Sequence, residues 1–167
     1  MASGDLLFAL EASSGKTPTT TAAARMDRRG NDGHVVFDFN DATDVSLDFS
    51  GWMPNHYGGG GVTLTVGYMM SSATTNEVRI DAAFERHQDD AFDLDTDGLA
   101  AVQSVTDTVP SASGEMGYAT ITFTDGAQMD SLAVNEHFRL RITRDADNVA
   151  DDASGDMELL SIMARET

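Results

Sequence analysis

The sequence lacks cysteine altogether, has a single lysine among its 167 residues, and contains no long apolar run. Without cysteine there can be neither a disulfide framework nor a thiolate metal site, so stability must come from a core or from association. No apolar segment approaches the roughly 20 residues that a membrane-spanning helix needs, and we expect no membrane partner. A chain of this length is typical of one domain with one sizeable core.

Acidic residues outnumber basic ones by 28 to 10, which gives a formal net charge of -18. A surface of this charge repels phosphate backbones, so we expect no nucleic-acid partner. The same acidity also fits plain solvation of a very soluble surface, for instance in a salty environment. Charge alone leaves open whether the acidic residues have a specific use.

Helical periodicity is nearly absent, and alternation of apolar and polar residues takes its place. In "DVSLDFS", Val45, Leu47 and Phe49 share one face, and four other segments alternate in the same way. These are "VTLTVGYMM", "EVRIDAAFER", "YATITFT" and "HFRLRITR", with turn signals such as "NDG", "GGGG" and "TDG" between them. Short, half-buried strands separated by turns predict an all-β fold, an antiparallel β-sandwich. We expect a jelly roll of about eight strands with an N-terminal arm.

The first part of the chain differs in composition from the rest. We predict an N-terminal strand and extended arm over 1–33 and the jelly-roll sandwich over 34–167, as one domain overall. The arm, Ser13–Arg25, is rich in Thr, Ser and Ala. It could reach a neighbouring copy or form an ordinary surface loop, and we expect the sandwich to stay folded without residues 1–25. The final run, "MELLSIMAR", is apolar on both faces, which predicts a central strand or one covered by a neighbouring subunit.

Enzyme motifs are incomplete throughout. "SSGKT" resembles the end of a P-loop, but Leu10 stands where the first glycine must be. The four histidines form no close pair in sequence, and neither a GxSxG elbow nor a thiol nucleophile is present. We therefore predict a protein that is not an enzyme.

The segment "DLDTDG" begins like a calcium-binding loop. Asp93, Asp95 and Asp97 stand at alternate positions before Gly98, but the closing glutamate is replaced by Ser104. The interpretation we favour is an acidic solvated turn, with Asp97 capping a helical turn over 98–103. The acidic loop over 145–152 is equally ambiguous. We predict no required cofactor and keep calcium open.

Two aromatic residues lie in a glycine-rich segment, "GWMPNHYGGGG". Exposed Trp52 and Tyr57 beside a flexible backbone would be able to stack on sugars. Alternatively, Trp52 caps the end of the core and the glycines form a tight turn. From the sequence alone we favour this second interpretation, and keep Trp52 and Tyr57 as the binding candidates of the first.

Several segments together resemble short proteins encoded among the structural genes of tailed bacteriophages, over nearly the whole chain. They are "GDLLFALEA", "FSGWMPNHYGGGGVTLTVGYMMSSAT", "AAFERHQDD", "ITFTDGAQMDSLAVNEHFRLRITRDADN" and "GDMELLSIMARE". Characterised proteins of this type are jelly-roll cement or decoration proteins that trimerise on the capsid. The resemblance implies a homotrimer made in the host cytoplasm, bound to the major capsid protein on the outer capsid surface of the virion, without catalytic residues. The alternative is a glycan- or receptor-binding β-sandwich module of a phage tail or head fibre.

Overall fold

The computed structural model describes residues 4–167, which form ten strands and two short 3-10 helices. The strands are β1 (Leu6–Glu11), β2 (Arg25–Arg29), β3 (His34–Phe39), β4 (Val45–Trp52), β5 (Val62–Met70), β6 (Glu77–His87), β7 (Gln103–Thr108), β8 (Gly117–Phe123), β9 (His137–Arg144) and β10 (Met157–Glu166). The 3-10 helices, Ala12–Ser14 and Ala127–Met129, are single turns. No described helix is long and apolar enough to cross a membrane.

The strands form two antiparallel sheets. Sheet A has the order β2-β3-β10-β5-β8, and β1 pairs with β10 beyond the end of β3. Sheet B has the order β4-β9-β6-β7. The antiparallel β-sandwich with the jelly-roll character predicted from the alternating segments is confirmed.

Alternation places one face of each strand in the shared core. Val45, Leu47 and Phe49 of β4 are buried, as are the corresponding apolar residues of β6 and β9. The largest fully buried aromatic side chains lie between the sheets: Phe39, Phe49, Tyr68, Phe84, Phe123 and Phe138. The apolar final run is β10, which has strand neighbours on both edges, so the prediction of a central strand is confirmed.

The inward face of β9 ends in an arginine instead of an apolar residue. The Arg144 side chain is fully buried, and its guanidinium donates to Asp151 and to the carbonyls of Phe39, Ala153 and Gly155. These partners compensate for the loss of hydration that a buried charge suffers. The acidic loop after β9 is thereby fixed against the end of sheet B.

The N-terminal segment is part of the sandwich. Leu7, Ala12 and Ala24 are buried in the core, and β1 pairs with β10 over five register positions. Between β1 and β2 the arm lies along β4: the Lys16 N–H donates to the Asp48 carbonyl (2.7 Å), and the Ala24 N–H donates to the Ser46 carbonyl (3.0 Å). Residues of this segment are thus part of the core, which argues against the expectation that the sandwich stays folded without residues 1–25.

Candidate functional site

The outward-facing residues of sheet B form rows that run across three neighbouring strands, and we call this surface the groove face. Strand register puts Trp52 of β4 beside His137 of β9, and His137 beside His87 of β6. Three further rows follow along the strands: Ser50, Arg139 and Glu85; then Asp48, Arg141 and Ala83; then Ser46, Thr143 and Asp81. The groove face therefore presents aromatic rings at one end and polar groups along its length.

The aromatic end is a groove of about 570 Å³. The Trp52 side chain is 65% exposed, and its ring meets that of His137 edge-on, with centroids 5.2 Å apart. His87 stacks on Phe92 of the loop after β6, at a centroid distance of 4.2 Å. Polar side chains complete the lining: Gln88, Asp89, Asp90, Asn135 and Glu136. An exposed indole beside hydrogen-bonding groups suits a ligand that has both an apolar face and hydroxyl groups.

Hydrogen bonds fix the two histidine rings beneath the indole. His87 Nε2 lies 2.9 Å from Glu85 Oε1, and His87 Nδ1 lies 2.7 Å from His137 Nδ1. Because a carboxylate only accepts, His87 donates from Nε2, and the neutral pair is satisfied when His137 donates from Nδ1. Burial, His87 and Lys16 lower the pKa of His137. The neutral imidazole is thus the form that supports Trp52.

Charges on the middle of the groove face are paired. Arg141 binds Asp48 through two hydrogen bonds, of 2.7 and 2.8 Å, and Arg139 donates to the buried Glu85. The hydrogen bond and the charge of Asp48 raise the pKa of Arg141 despite its burial. Two arginines thus balance two carboxylates within a chain of net charge -18. The pairing also explains why Asp48 is buried although alternation directs it outward.

The far end of the groove face is a second groove, of about 330 Å³. Ser46, Asp81 and Thr143 lie on its floor, Thr21 of the arm lines one side, and Val102 of the loop before β7 lines the other. Desolvation by burial raises the pKa of Asp81, and its Oδ1 is buried without a hydrogen-bond partner. Arg79 Nε, at 3.7 Å, is too distant to donate to it.

Trp52 and Tyr57 lie in different environments. Tyr57 is only 6% exposed, accepts from the Gly61 N–H and approaches Asp125 at 3.3 Å through its hydroxyl. Its ring is part of the core and offers no face for stacking, so Tyr57 is not a stacking residue. The 65% exposure of Trp52 shows that the favoured interpretation, in which Trp52 caps the core, is wrong. Burial raises the pKa of its hydroxyl group.

The aspartates of "DLDTDG" do not converge. Asp93 Oδ1 accepts from the Asp95 N–H and Asp97 Oδ2 from the Asp93 N–H, so two of the three carboxylates bond to the loop's own backbone. The helical turn expected over 98–103 does not form: residues 98–102 are irregular and β7 begins at Gln103.

A different group of carboxylates converges at the end of sheet B. Oxygen atoms of Asp44, Asp145 and Asp147 lie within 4.8 Å of one another, and within residues 4–167 no other such group is found. Two of these residues belong to the acidic loop noted in the sequence. Carboxylates are the ligands calcium prefers, but calcium takes six to eight oxygens and Arg79 already pairs with Asp145 at 3.0 Å. The three carboxylates therefore supply only part of a calcium site.

A small polar cavity of about 190 Å³ lies next to the aromatic groove, around Arg86. The Arg86 guanidinium donates twice to Glu136, at 2.6 Å each, and Asp130 accepts the Arg86 N–H. These groups are satisfied within the protein. Arg86 and Glu136 therefore hold the loop before β9 against β6 and are not free to bind a ligand.

Alternation alone could have identified part of the site. His87 and His137 occupy outward positions of their strands, two residues from Glu85 and Arg139, and so were detectable as surface groups. Their contact depends on the register of β6 against β9, which separated segments of sequence do not determine. Phe92 was missed because it follows a strand and belongs to no periodic pattern.

Comparison with known proteins yields structures but no sequence family. No protein-family profile matches the chain, and no curated protein matches it. Among solved structures, the chain is similar to a carbohydrate-binding module of Cellvibrio mixtus lichenase 5A in complex with cellotriose, with a TM-score of 0.53, 11% identity and 98% and 99% of the two chains covered. It is also similar to the CBM22-2 xylan-binding domain of Paenibacillus barcinonensis Xyn10C, with a TM-score of 0.53, 13% identity and coverage of 96% and 99%.

A third similar structure is a carbohydrate-binding module, CBM36, in complex with calcium and xylotriose, with a TM-score of 0.50, 11% identity and coverage of 95% and 99%. At such identities the similarity extends to the fold. The chain therefore has the β-sandwich fold that these carbohydrate-binding modules share.

Proposed function

We propose that this chain is a non-catalytic glycan-binding β-sandwich in which Trp52 is the stacking platform. The observation that carries the proposal is the 65% exposed indole at the wall of a groove lined by carboxylates, amides and imidazoles. Stacking uses the apolar face of a sugar ring, and the surrounding polar side chains bind its hydroxyl groups. The fold shared with carbohydrate-binding modules supports this proposal over a capsid cement protein.

The two central carboxylates of the groove face, Asp48 and Glu85, are not available as a catalytic pair. Glycoside hydrolysis needs one carboxyl group free to donate a proton and a second free to act as base or nucleophile. Asp48 and Glu85 are instead held in ion pairs by Arg139 and Arg141. We infer that the groove face retains its ligand without cleaving it.

A virion role remains a second proposal, supported by the sequence resemblance and by apolar surface away from the groove. Tyr118 of β8 and Met26 of β2 are each 65% exposed, on sheet A. Such surface would suit contact with a capsid or with further copies in a trimer. A glycan-binding module on a phage tail or head fibre would combine both proposals.

The proposal is tested by Trp52→Ala in binding assays against a panel of immobilised and soluble polysaccharides. Removing the indole is expected to reduce affinity by about tenfold or more, corresponding to about 1.4 kcal/mol or more of lost stacking. Tyr118→Ala is the matched control, because Tyr118 is equally exposed but lies on the opposite sheet. Equal losses in both variants, or saturable glycan binding unaffected by Trp52→Ala, would contradict the proposal.

A further inference from the structure

The groove face is longer than a single sugar-binding site. From the Trp52 row to the Ser46 row is six residues along β4, or about 20 Å at roughly 3.3 Å per residue. The row between the two grooves is open, since Ser50 is exposed and the Arg139 side chain retains 31% of its accessible surface. Asp48, Ala83 and Glu85 are buried, so a ligand lying on Trp52 would continue toward the Ser46 row over Ser50 and Arg139.

Two buried polar atoms in and beside the far groove have no hydrogen-bond partner. Asp81 Oδ1 on its floor is buried without a hydrogen-bond partner, although Arg79 lies 3.7 Å from it, and Arg139 Nε in the row between the grooves also lacks one, although the guanidinium pairs with Glu85. A buried polar group without a hydrogen-bond partner is destabilising, and a hydrogen bond with a ligand hydroxyl group would offset that loss. The side chain of Ser46, bonded to Thr143 at 2.8 Å, adds a hydroxyl pair beside them.

The residues that line the two grooves, and their charges, restrict the class of ligand that the groove face can bind. Thr21 of the arm and the 53% exposed Val102 both line the far groove. The two arginines of the floor are already neutralised by Asp48 and Glu85, while Asp44, Asp81, Asp89 and Asp90 line the two grooves. A polyanion would be repelled by these carboxylates, whereas an uncharged chain would not.

We infer that the far groove is a second subsite and that the ligand is an internal stretch of an uncharged linear polysaccharide spanning both ends of the groove face. This inference rests on the proposed function, since it extends the same ligand beyond Trp52. Short oligosaccharides would occupy the Trp52 end alone, and only longer ones would reach Asp81. Affinity should therefore rise with chain length.

The test is a calorimetric series of soluble oligosaccharides, from disaccharide to octasaccharide, of a neutral polymer that the chain retains. A soluble polyuronate serves as the anionic comparison. Val102→Arg is designed to block the far groove, because an arginine on this wall can reach across the floor and pair with Asp81. Met26→Arg is the matched control, replacing another exposed apolar residue with the same charge on sheet A.

For the wild-type chain we expect affinity to rise by about tenfold or more between the shortest and longest oligosaccharides. Val102→Arg should remove that rise and leave the affinity for the shortest unchanged, and Met26→Arg should behave as wild type. Three results would refute the inference and leave stacking on Trp52 intact. They are an affinity that does not change with oligosaccharide length, a Val102→Arg variant that binds long chains as tightly as wild type, and a polyuronate that binds as tightly as the neutral oligosaccharides. If Trp52→Ala also leaves short-chain binding unchanged, the proposed function itself fails.

Discussion

At the scale of single residues, the site depends on which aromatic side chain faces water. Trp52 and Tyr57 stand five positions apart in one glycine-rich segment, yet Trp52 is 65% exposed and Tyr57 is 6% exposed. The difference arises because Trp52 continues the outward face of β4, whereas the hydroxyl group of Tyr57 is held by Gly61 and Asp125 at the end of the core. These contacts lie in the tertiary structure, so sequence composition alone could not distinguish the two rings.

A second feature at the scale of residues is a carboxyl group, that of Asp38, whose ionised form is destabilised by its surroundings. Asp38 of β3 has a buried, unpaired Oδ1, and burial together with Asp27, Glu158 and Asp156 raises its pKa to about 6. The native state thus binds this proton more tightly than the unfolded chain, in which an aspartate titrates near 4. Stability contributed by Asp38 is therefore lost as pH rises from about 4 through about 6.

We predict that Asp38→Asn raises the melting temperature near neutral pH and leaves it almost unchanged near pH 4. After allowance for solvent screening, the gain should be on the order of 1 kcal/mol. Asp95→Asn is the control, since Asp95 is exposed and the variant removes the same charge from the molecule. Thermal unfolding across this pH range checks the prediction. A gain that is equal for both variants, or one that persists at low pH, would contradict it.

At the scale of strands, the sequence predicts which face of a strand is buried better than it predicts which strands pair with one another. The outward and inward residues of β4, β5, β6, β8 and β9 follow from alternation, because each strand has one face in the core. The path of residues 4–29 cannot be predicted from alternation, because it depends on pairing with strands that are distant in sequence. The chain runs from sheet A at β1, along β4 of sheet B through the arm, and back to sheet A at β2. The short, polar composition of the arm gives no sign of these partners.

Removal of residues 1–11 is predicted to unfold the sandwich. The deletion removes buried Leu7, whose burial stabilises the fold by about 1.5 to 3 kcal/mol. It also removes the hydrogen bonds between β1 and β10, each of which contributes roughly 0.5 to 1.5 kcal/mol to stability. It also uncovers Phe138, whose ring lies 4.9 Å from that of Phe8. Together these losses approach the free energy of unfolding of a typical domain, which is about 5 to 15 kcal/mol.

Circular dichroism and thermal unfolding of the truncated chain provide the measurement. As a control, Thr17, Thr19 and Thr20 are replaced by alanine; these exposed arm residues lie between the points where the arm bonds to β4, and the triple variant should unfold as wild type does. A truncated chain with native spectra and a sharp transition would show that β1 is dispensable.

At the scale of the whole molecule, charge is distributed unevenly. The chain carries -18 overall, but the centre of the groove face has two arginines for two carboxylates, and the rings lie at one end of it. Composition predicts that nucleic acid is not a partner, because that expectation depends only on the sum of the charges. The balance within the groove face could not be read from composition, since it requires β4, β6 and β9 to be aligned. The virion setting and the trimer remain predictions from the sequence resemblance.

The central claim, that a glycan stacks on Trp52, is tested most directly by intrinsic fluorescence. Because Trp52 is the only tryptophan in the chain, its emission reports on the groove face without interference from other indoles. Titration with a neutral polysaccharide is predicted to shift the emission to shorter wavelength, to saturate, and to protect the indole from acrylamide quenching, as a sugar ring displaces water from its face. Emission and quenching that remain unchanged across a panel of neutral polysaccharides would contradict the claim.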